Sequence, residues 1–184
     1  EVVLKAKSYR EPITTPLSKK SMGQIEILTS PGSGSDIAKV MQVLPGVATT
    51  SSFRNDLIIR GGAPSENSLY LDGFRIPSIN HLTTQGSSGG AISMINADFI
   101  RKAELISGSF PAIRGNALSS AFHFDLLDGN TKKPGFRISA GATNLSLDAY
   151  GPLGDKVSFI GSVRRSYRQY ILQLLGLAVY PVYN

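Results

Sequence analysis

Residues 57–73 read Leu-Ile-Ile-Arg-Gly-Gly-Ala-Pro-Ser-Glu-Asn-Ser-Leu-Tyr-Leu-Asp-Gly. Two short apolar runs lie in this stretch, and each ends on a turn signal. Leu57–Arg60 reads as a strand broken by Gly61-Gly62-Ala63-Pro64. Ser68–Leu71 reads as a second strand, closed by Asp72-Gly73. That dipeptide tolerates the positive φ angles of a tight hairpin turn. Runs this short, punctuated by Gly and Pro, point to a sheet of brief strands.

Upstream, Ser30-Pro-Gly-Ser-Gly-Ser35 breaks the chain, and a helix is expected to follow. Ile37, Val40, Met41 and Leu44 recur at helical spacing and give it one apolar face. Ser33 and Asp36 pair as its N-terminal cap, and Pro45-Gly46 ends it. Polar residues 49–56 follow as a loop. Closer to the start, residues 1–7 and Gln24–Leu28 read as short strands, with residues 8–23 as a linker between them.

Downstream, residues 77–90 form a long loop rich in Ser, Thr and Gly. Loops of this length inside compact domains usually carry function or move. Ser93–Ile100 holds a short helical turn, and Lys102–Ser107 and Ala121–Leu127 read as strands. The pattern changes after Asp128-Gly129. Phe136, Ile138 and Ala140 alternate with Arg137 and Ser139; Leu145, Leu147 and Ala149 alternate with Ser146, Asp148 and Tyr150; Val157, Phe159, Gly161 and Val163 share one face. This is an antiparallel meander of three strands, apolar on one side and polar on the other. Membrane β-barrels are built from such segments. In the last stretch Tyr170, Ile171, Leu174 and Leu175 fall on one face of a short helix, and Tyr167, Tyr180 and Tyr183 add aromatic weight.

Composition narrows the function classes. The 184 residues include 41% hydrophobic side chains, enough to bury a core. Only 17% are charged, while Gly (19) and Pro (10) are plentiful, which suits strands and turns. There is no Cys and there are only two His, so thiolate and multi-histidine metal sites are excluded. No apolar run is long enough for a transmembrane helix, and Glu1-Val-Val-Leu4 does not open a signal peptide. The net charge of +6 is unevenly spread: residues 1–130 carry 12 basic and 11 acidic side chains, and residues 131–184 carry 7 and 2. The main domain is therefore nearly neutral and offers no basic surface for nucleic acid.

Chemistry is sparse. Asp56, Ser68, Asp72, His81 and His123 supply triad residue types, but no Gly-x-Ser-x-Gly elbow accompanies them, and catalysis is not expected. Gly32-Ser33-Gly34 precedes a helix, yet lacks the Gly-Lys-Ser/Thr ending of a phosphate loop and the third Gly of a dinucleotide fingerprint. The loops are richer. Arg54, Asn55, Asn80, His81 and Gln85 gather hydrogen-bonding groups in residues 49–56 and 77–90.

The order of these elements resembles the plug domain of a TonB-dependent outer-membrane receptor running into its first barrel strands. Asp36-Ile-Ala-Lys-Val-Met-Gln-Val-Leu-Pro-Gly-Val47 is similar to the plug helix with its terminal Pro-Gly-Val. Leu57-Ile-Ile-Arg-Gly61 resembles the family's Ile-Arg-Gly strand, and Leu69-Tyr-Leu-Asp-Gly73 its Leu-Val-Asp-Gly turn. Ile100–Gly108 is similar to its strand with a Glu and a closing Gly, Gly115–Ser120 to the element before the last plug strand, and Gly151–Lys156 to the first periplasmic turn. Details at Ser107–Ala112 and Ala117–Ser120 look most like the subset with an added N-terminal carboxypeptidase-regulatory-like domain.

The resemblance implies an α+β fold: a plug over residues 1–129 with a mixed β-sheet and short helices, then about three antiparallel strands over 130–184 that open an incomplete barrel. It implies an outer-membrane location, a periplasmic N-terminus and energised uptake of a nutrient: an iron chelate, cobalamin, glycan or peptide. The TonB protein would act through a segment upstream of residue 1. It implies no enzyme activity and no cofactor. The loop residues Arg54, Asn55, Asn80, His81 and Gln85 match apical ligand loops, and Arg60, Asp72 and Glu104 match an ion-pair network between plug and barrel wall. Where many members carry Arg before the closing Gly, this chain has Ser107, which leaves Arg60 as the clearer lock. Three strands cannot close a barrel, so they are expected to pair with a second copy or to fold back on the plug. The competing expectation is a soluble periplasmic binding module that uses the plug fold alone.

Overall fold

The structure is a computed structural model that describes residues 18–31, 34, 36–51, 54–81, 83, 90, 92–140, 144–154 and 156–167. The chain divides into two compact units, Glu1–Leu126 and Leu127–Asn184.

The first unit is built on a five-stranded mixed sheet in the order β1-β6-β7-β4-β5. These are β1 (Lys19–Gly23), β4 (Asn67–Leu71), β5 (Phe74–Ile76), β6 (Ile100–Ile106) and β7 (Ser120–Leu126). The β4–β7 pair is parallel, and every other pair is antiparallel. Alternation sends Leu69, Ala103, Leu105, Phe122 and Phe124 to one face. Two helices of six residues cover that face, α1 (Gln24–Thr29) and α2 (Ile37–Gln42). Ile27 from α1 and Ile37, Ala38, Val40 and Met41 from α2 are buried against it. A separate ribbon, β2 (Val47–Ala48) with β3 (Ile58–Ile59), carries the chain out of α2 and back.

Turn chemistry follows the sequence. Arg60 and Gly61 both have positive φ, 51° and 81°, and so do Asp72 and Gly73, 47° and 85°. Two consecutive positive φ angles match the twist of flanking strands, and β4 folds onto β5 directly, with Leu71 opposite Phe74. Gly46, at φ 88°, ends α2 as expected.

Three expectations are corrected. Gln24–Leu28 is not a strand but the body of α1. Alternation over five residues does not fix a period, and the Glu26 carboxylate accepts from the Gly23 N–H at 2.8 Å, which secures a helix start. Residues 19–23 are not linker but the edge strand β1, registered Lys19 to Ile106 through Gly23 to Lys102. The cap of α2 is Asp36 itself, whose carboxylate accepts from the Ala38 and Lys39 N–H groups. Ser33 lies outside the described residues, as do the expected strand at 1–7 and helix at 170–175. The helical turn expected after Ser93 is a 3-10 turn at Ala97–Phe99.

The second unit is a sheet of its own in the order β10-β9-β8. It comprises β8 (Gly135–Ala140), β9 (Asn144–Pro152) and β10 (Ser158–Ser166). The pairing is antiparallel throughout. Phe136, Ile138, Leu145, Leu147, Phe159 and Val163 share one face by register. That face is bare: Phe136 is 75% exposed, Val163 74% and Ile138 66%. Ser146 and Asp148 point to the other side and are buried.

The core of the first unit depends on β7. Phe122→Ala is expected to destabilise by about 3–5 kcal/mol, whereas Ile25→Ala on the outer side of α1 should stay within about 0.5 kcal/mol. Urea unfolding of the two variants measures the difference.

Candidate functional site

The loop residues singled out above divide into two kinds. Asn55 and Asn80 are turned inwards, 0% and 2% exposed. Arg54 and His81, their immediate neighbours in sequence, face outwards. Gln85 lies outside the described residues. Asn55 Nδ2 donates to Asp36 Oδ2 at 2.8 Å and to Asn80 Oδ1 at 3.4 Å. Asn80 Nδ2 returns a bond to the Asn55 carbonyl at 3.3 Å.

The centre of this arrangement is the Asp36 carboxylate. Its Oδ1 accepts from the Ala38 and Lys39 N–H groups at 2.9 and 3.4 Å, and from Ser93 Oγ at 2.6 Å. Its Oδ2 accepts from the Ser93 N–H at 3.1 Å and from Asn55. Five donors from the start of α2 and two loops therefore converge on one side chain. The sequence marked Asp36 only as a cap, and nothing in it marked Ser93. Gly90 packs so closely that a Cβ there would lie 1.7 Å from the His81 carbonyl oxygen. Arg54 pairs with the buried Asp56 carboxylate at 2.8 Å, which also accepts from Thr50 Oγ1 at 2.8 Å.

The second candidate set is spread over the first sheet. Glu104, midway along β6, pairs with Lys19 at 2.9 Å and Lys102 at 2.5 Å. Asp72 closes the β4–β5 turn: its N–H donates to the Phe124 carbonyl and its Oδ1 accepts from the Leu126 N–H, 2.9 and 2.8 Å. Arg60 is exposed and makes no ion pair among the described residues. Its guanidinium lies beside Gly108, where a Cβ would be 3.2 Å from Nη1. Arg60, Lys20, Ser18 and Ser107 line a cleft of about 310 Å³ together with Pro45 and Gly46. Arg60, Asp72 and Glu104 thus each have separate surroundings.

His123 and Ser68, both triad residue types, are occupied structurally. His123 stacks on Tyr70 at 5.3 Å between ring centres, with the Arg114 guanidinium 4.7 Å from the Tyr70 ring centre. Ser68 Oγ donates to the Asn116 carbonyl at 2.7 Å. Among the described residues no group of three or more His, Asp or Glu side chains gathers as a metal site.

A mixed five-stranded sheet under two very short helices, joined by loops around a half-buried carboxylate, matches a known family. The sequence fits the family model of the TonB-dependent receptor plug domain over residues 11–121, and the chain belongs to that family. No curated protein sequence matches it. Among solved structures it is similar to the alcaligin outer-membrane receptor FauA of Bordetella pertussis, with 17% identity and a TM-score of 0.60 over 85% of this chain and 27% of that one. It is also similar to the pyoverdine receptor FpvA of Pseudomonas aeruginosa PAO1, solved bound to pyoverdine, with 18% identity and a TM-score of 0.59 over 83% and 22%. The outer-membrane transporter YddB of Escherichia coli gives 12% identity and a TM-score of 0.57 over 81% and 26%. At these identities the likeness is one of fold. The chain spans about a quarter of the length of these structures.

Glu104 and His123 lie opposite each other across β6 and β7. Burial alone would raise the Glu104 carboxyl, but Lys102 and Lys19 outweigh it and hold it below the ordinary 4.5. Burial, then the Arg114 charge, holds the His123 imidazole below the ordinary 6.5, against the opposing pull of Asp125 and Glu104. Both groups bind a proton more readily in the unfolded chain, so each contribution is present above the unfolded value and lost as pH falls through the folded one. Stability should decline below pH 6.5 through His123 and further below pH 4.5 through Glu104. His123→Gln should flatten the upper step and Glu104→Gln the lower one, read by thermal melting across this acid range.

Proposed function

We propose that this chain is the plug and opening barrel strands of a receptor in the outer membrane of a Gram-negative bacterium, one that gates energised import of a nutrient. The observation that carries the reading is the bare apolar face of β8, β9 and β10. Six large hydrophobic side chains in register on one face, with polar residues on the other, suit strands that stand between lipid and a lumen. Membership of the plug family supports the same reading for the first unit.

On this reading the N-terminal side is periplasmic and the TonB protein engages a segment upstream of residue 1. Pulling there rearranges the plug. Of the apical residues, Arg54 and His81 meet the ligand, Gln85 belongs to the same loop, and Asn55 and Asn80 hold those loops in place. Arg60 offers an exposed cation for a carboxylate of the barrel wall, and Asp72 and Glu104 complete the charged set between plug and wall. An ion pair in such a place sets a releasable geometry more than it adds stability. No covalent bond is made or broken, so the protein is a transporter and not an enzyme, and no resident cofactor is needed. FauA and FpvA are receptors for alcaligin and pyoverdine. Iron chelates are therefore the first nutrient class to test, ahead of cobalamin, glycans and peptides.

An antibody raised against these residues, used on fractionated native cells, tests the proposal. The expected result is an outer-membrane band several times heavier than 19.7 kDa that shifts in apparent size on boiling. A band near 19.7 kDa in the soluble periplasm overturns it and favours a free-standing binding module.

A further inference from the structure

Each outward-facing loop residue is joined in sequence to a buried asparagine: Arg54 to Asn55, and His81 to Asn80. Both asparagines are tied to one another and, with Ser93, to Asp36. The backbone repeats the connection. Asn55 N–H donates to the Gly90 carbonyl at 3.2 Å, His81 N–H to the Ile92 carbonyl at 3.0 Å, and Asn80 bridges to Ser93. The two loops therefore meet through direct polar bonds and also through Asp36, which accepts a donor from each.

We infer that Asp36 is a positioning residue: its second carboxylate oxygen fixes the spacing between Arg54 and His81 and thereby shapes the ligand-facing surface. The significance for a ligand rests on the receptor reading above; the spacing itself does not. The two oxygens divide the work. Oδ1 caps α2 and also accepts from Ser93 Oγ, while only Oδ2 takes a donor from each loop, the Ser93 N–H and the Asn55 amide.

That separation supplies a discriminating variant. Asparagine caps a helix about as well as aspartate, so Asp36→Asn keeps the cap. It replaces Oδ2 with an NH2 group that faces the Ser93 N–H, and a backbone donor cannot turn away. If Asp36 serves the helix alone, Asp36→Asn changes nothing at the loops. If it positions them, the loops lose their common anchor.

The measurement is the distance distribution between spin labels at Arg54→Cys and His81→Cys in the full-length protein; these 184 residues contain no native Cys. Two references make either result readable. Labels at Lys20→Cys and Phe74→Cys, on the edge strands β1 and β5, report whether the sheet stays intact. Gly90→Ala forces the His81 carbonyl aside while leaving the Asp36 carboxylate in place, and shows that the label pair detects a displaced loop. The expected result is one narrow distribution in the parent, lost in Asp36→Asn while the sheet pair is unchanged. An unaltered loop distribution in Asp36→Asn, with Gly90→Ala shifted, overturns the inference. So does a change in Asp36→Asn that the sheet pair shares, because the carboxylate then supports the whole fold and not the loops in particular. Cell fractionation decides the receptor reading independently of this distance.

Discussion

Strand β7 is the constraint on which the first unit depends. It alone pairs with both halves of the sheet, antiparallel to β6 and parallel to β4. Its Phe122 and Phe124 rings lie 6.2 Å apart with nearly parallel planes, and both are fully buried. The helices above them have six residues each. Isolated helices need about 12–15 residues to be even marginally stable in water. Neither α1 nor α2 can therefore exist by propensity. Each is a single apolar face laid on β6 and β7, with a cap at one end: Glu26 reaching back to Gly23, and Asp36 on its own first turn. The capping groups matter in proportion to the shortness of what they cap.

This explains what was legible in the sequence and what was not. The helix at α2 was legible because four apolar residues at helical spacing sit between a Gly-rich breaker and Pro45-Gly46. Strands β3, β4, β6 and β7 and the Asp72-Gly73 turn were legible for local reasons of the same kind. Strand β1 was not, because Lys-Lys-Ser-Met-Gly has no β-branched or alternating apolar residues. It is an edge strand, and an edge strand carrying lysines looks like a loop until its partner is known. The first α-helix was misread because Gln-Ile-Glu-Ile-Leu satisfies either period. At the site, the residue types were legible but not their direction. Asn55 and Asn80 carry the same hydrogen-bonding groups whether they face solvent or the protein interior, and only the long-range pairing with Asp36 and Ser93 decides.

The two sheets solve the same problem in opposite ways. In the first, alternation sends one set of side chains under α1 and α2, and the apolar face is covered by its own chain. In the second, alternation is cleaner, yet nothing apolar within β8–β10 covers the face that holds Phe136, Ile138 and Val163. Burying such a face is worth roughly 25 cal/mol per Å² of apolar surface, so leaving it in water forgoes several kcal/mol. The polar face behaves conversely: Asp148 stands between Arg137 and Ser162 in register and is buried. A sheet that buries a carboxylate and leaves its large hydrophobes outside is inverted relative to a soluble domain. Strands of membrane β-barrels, whose lipid-facing and lumen-facing residues alternate, have this pattern.

The backbone angles point the same way for Arg60. Asp72 and Arg60 both occupy the left-handed region ahead of a glycine, which costs a non-glycine residue about 1–2 kcal/mol. Asp72 recovers that cost locally, because its side chain and N–H extend the β4–β7 pairing beyond the last strand residue. A short polar side chain is also the type that tolerates this conformation best. Arg60 has neither excuse. Its side chain is long, exposed and without an ion pair among the described residues, and an Asn or Gly would make the same turn with less strain. Strain held at one residue is an argument for a role at that residue. What Arg60 supplies that Asn or Gly would not is a fixed positive charge beside Gly108.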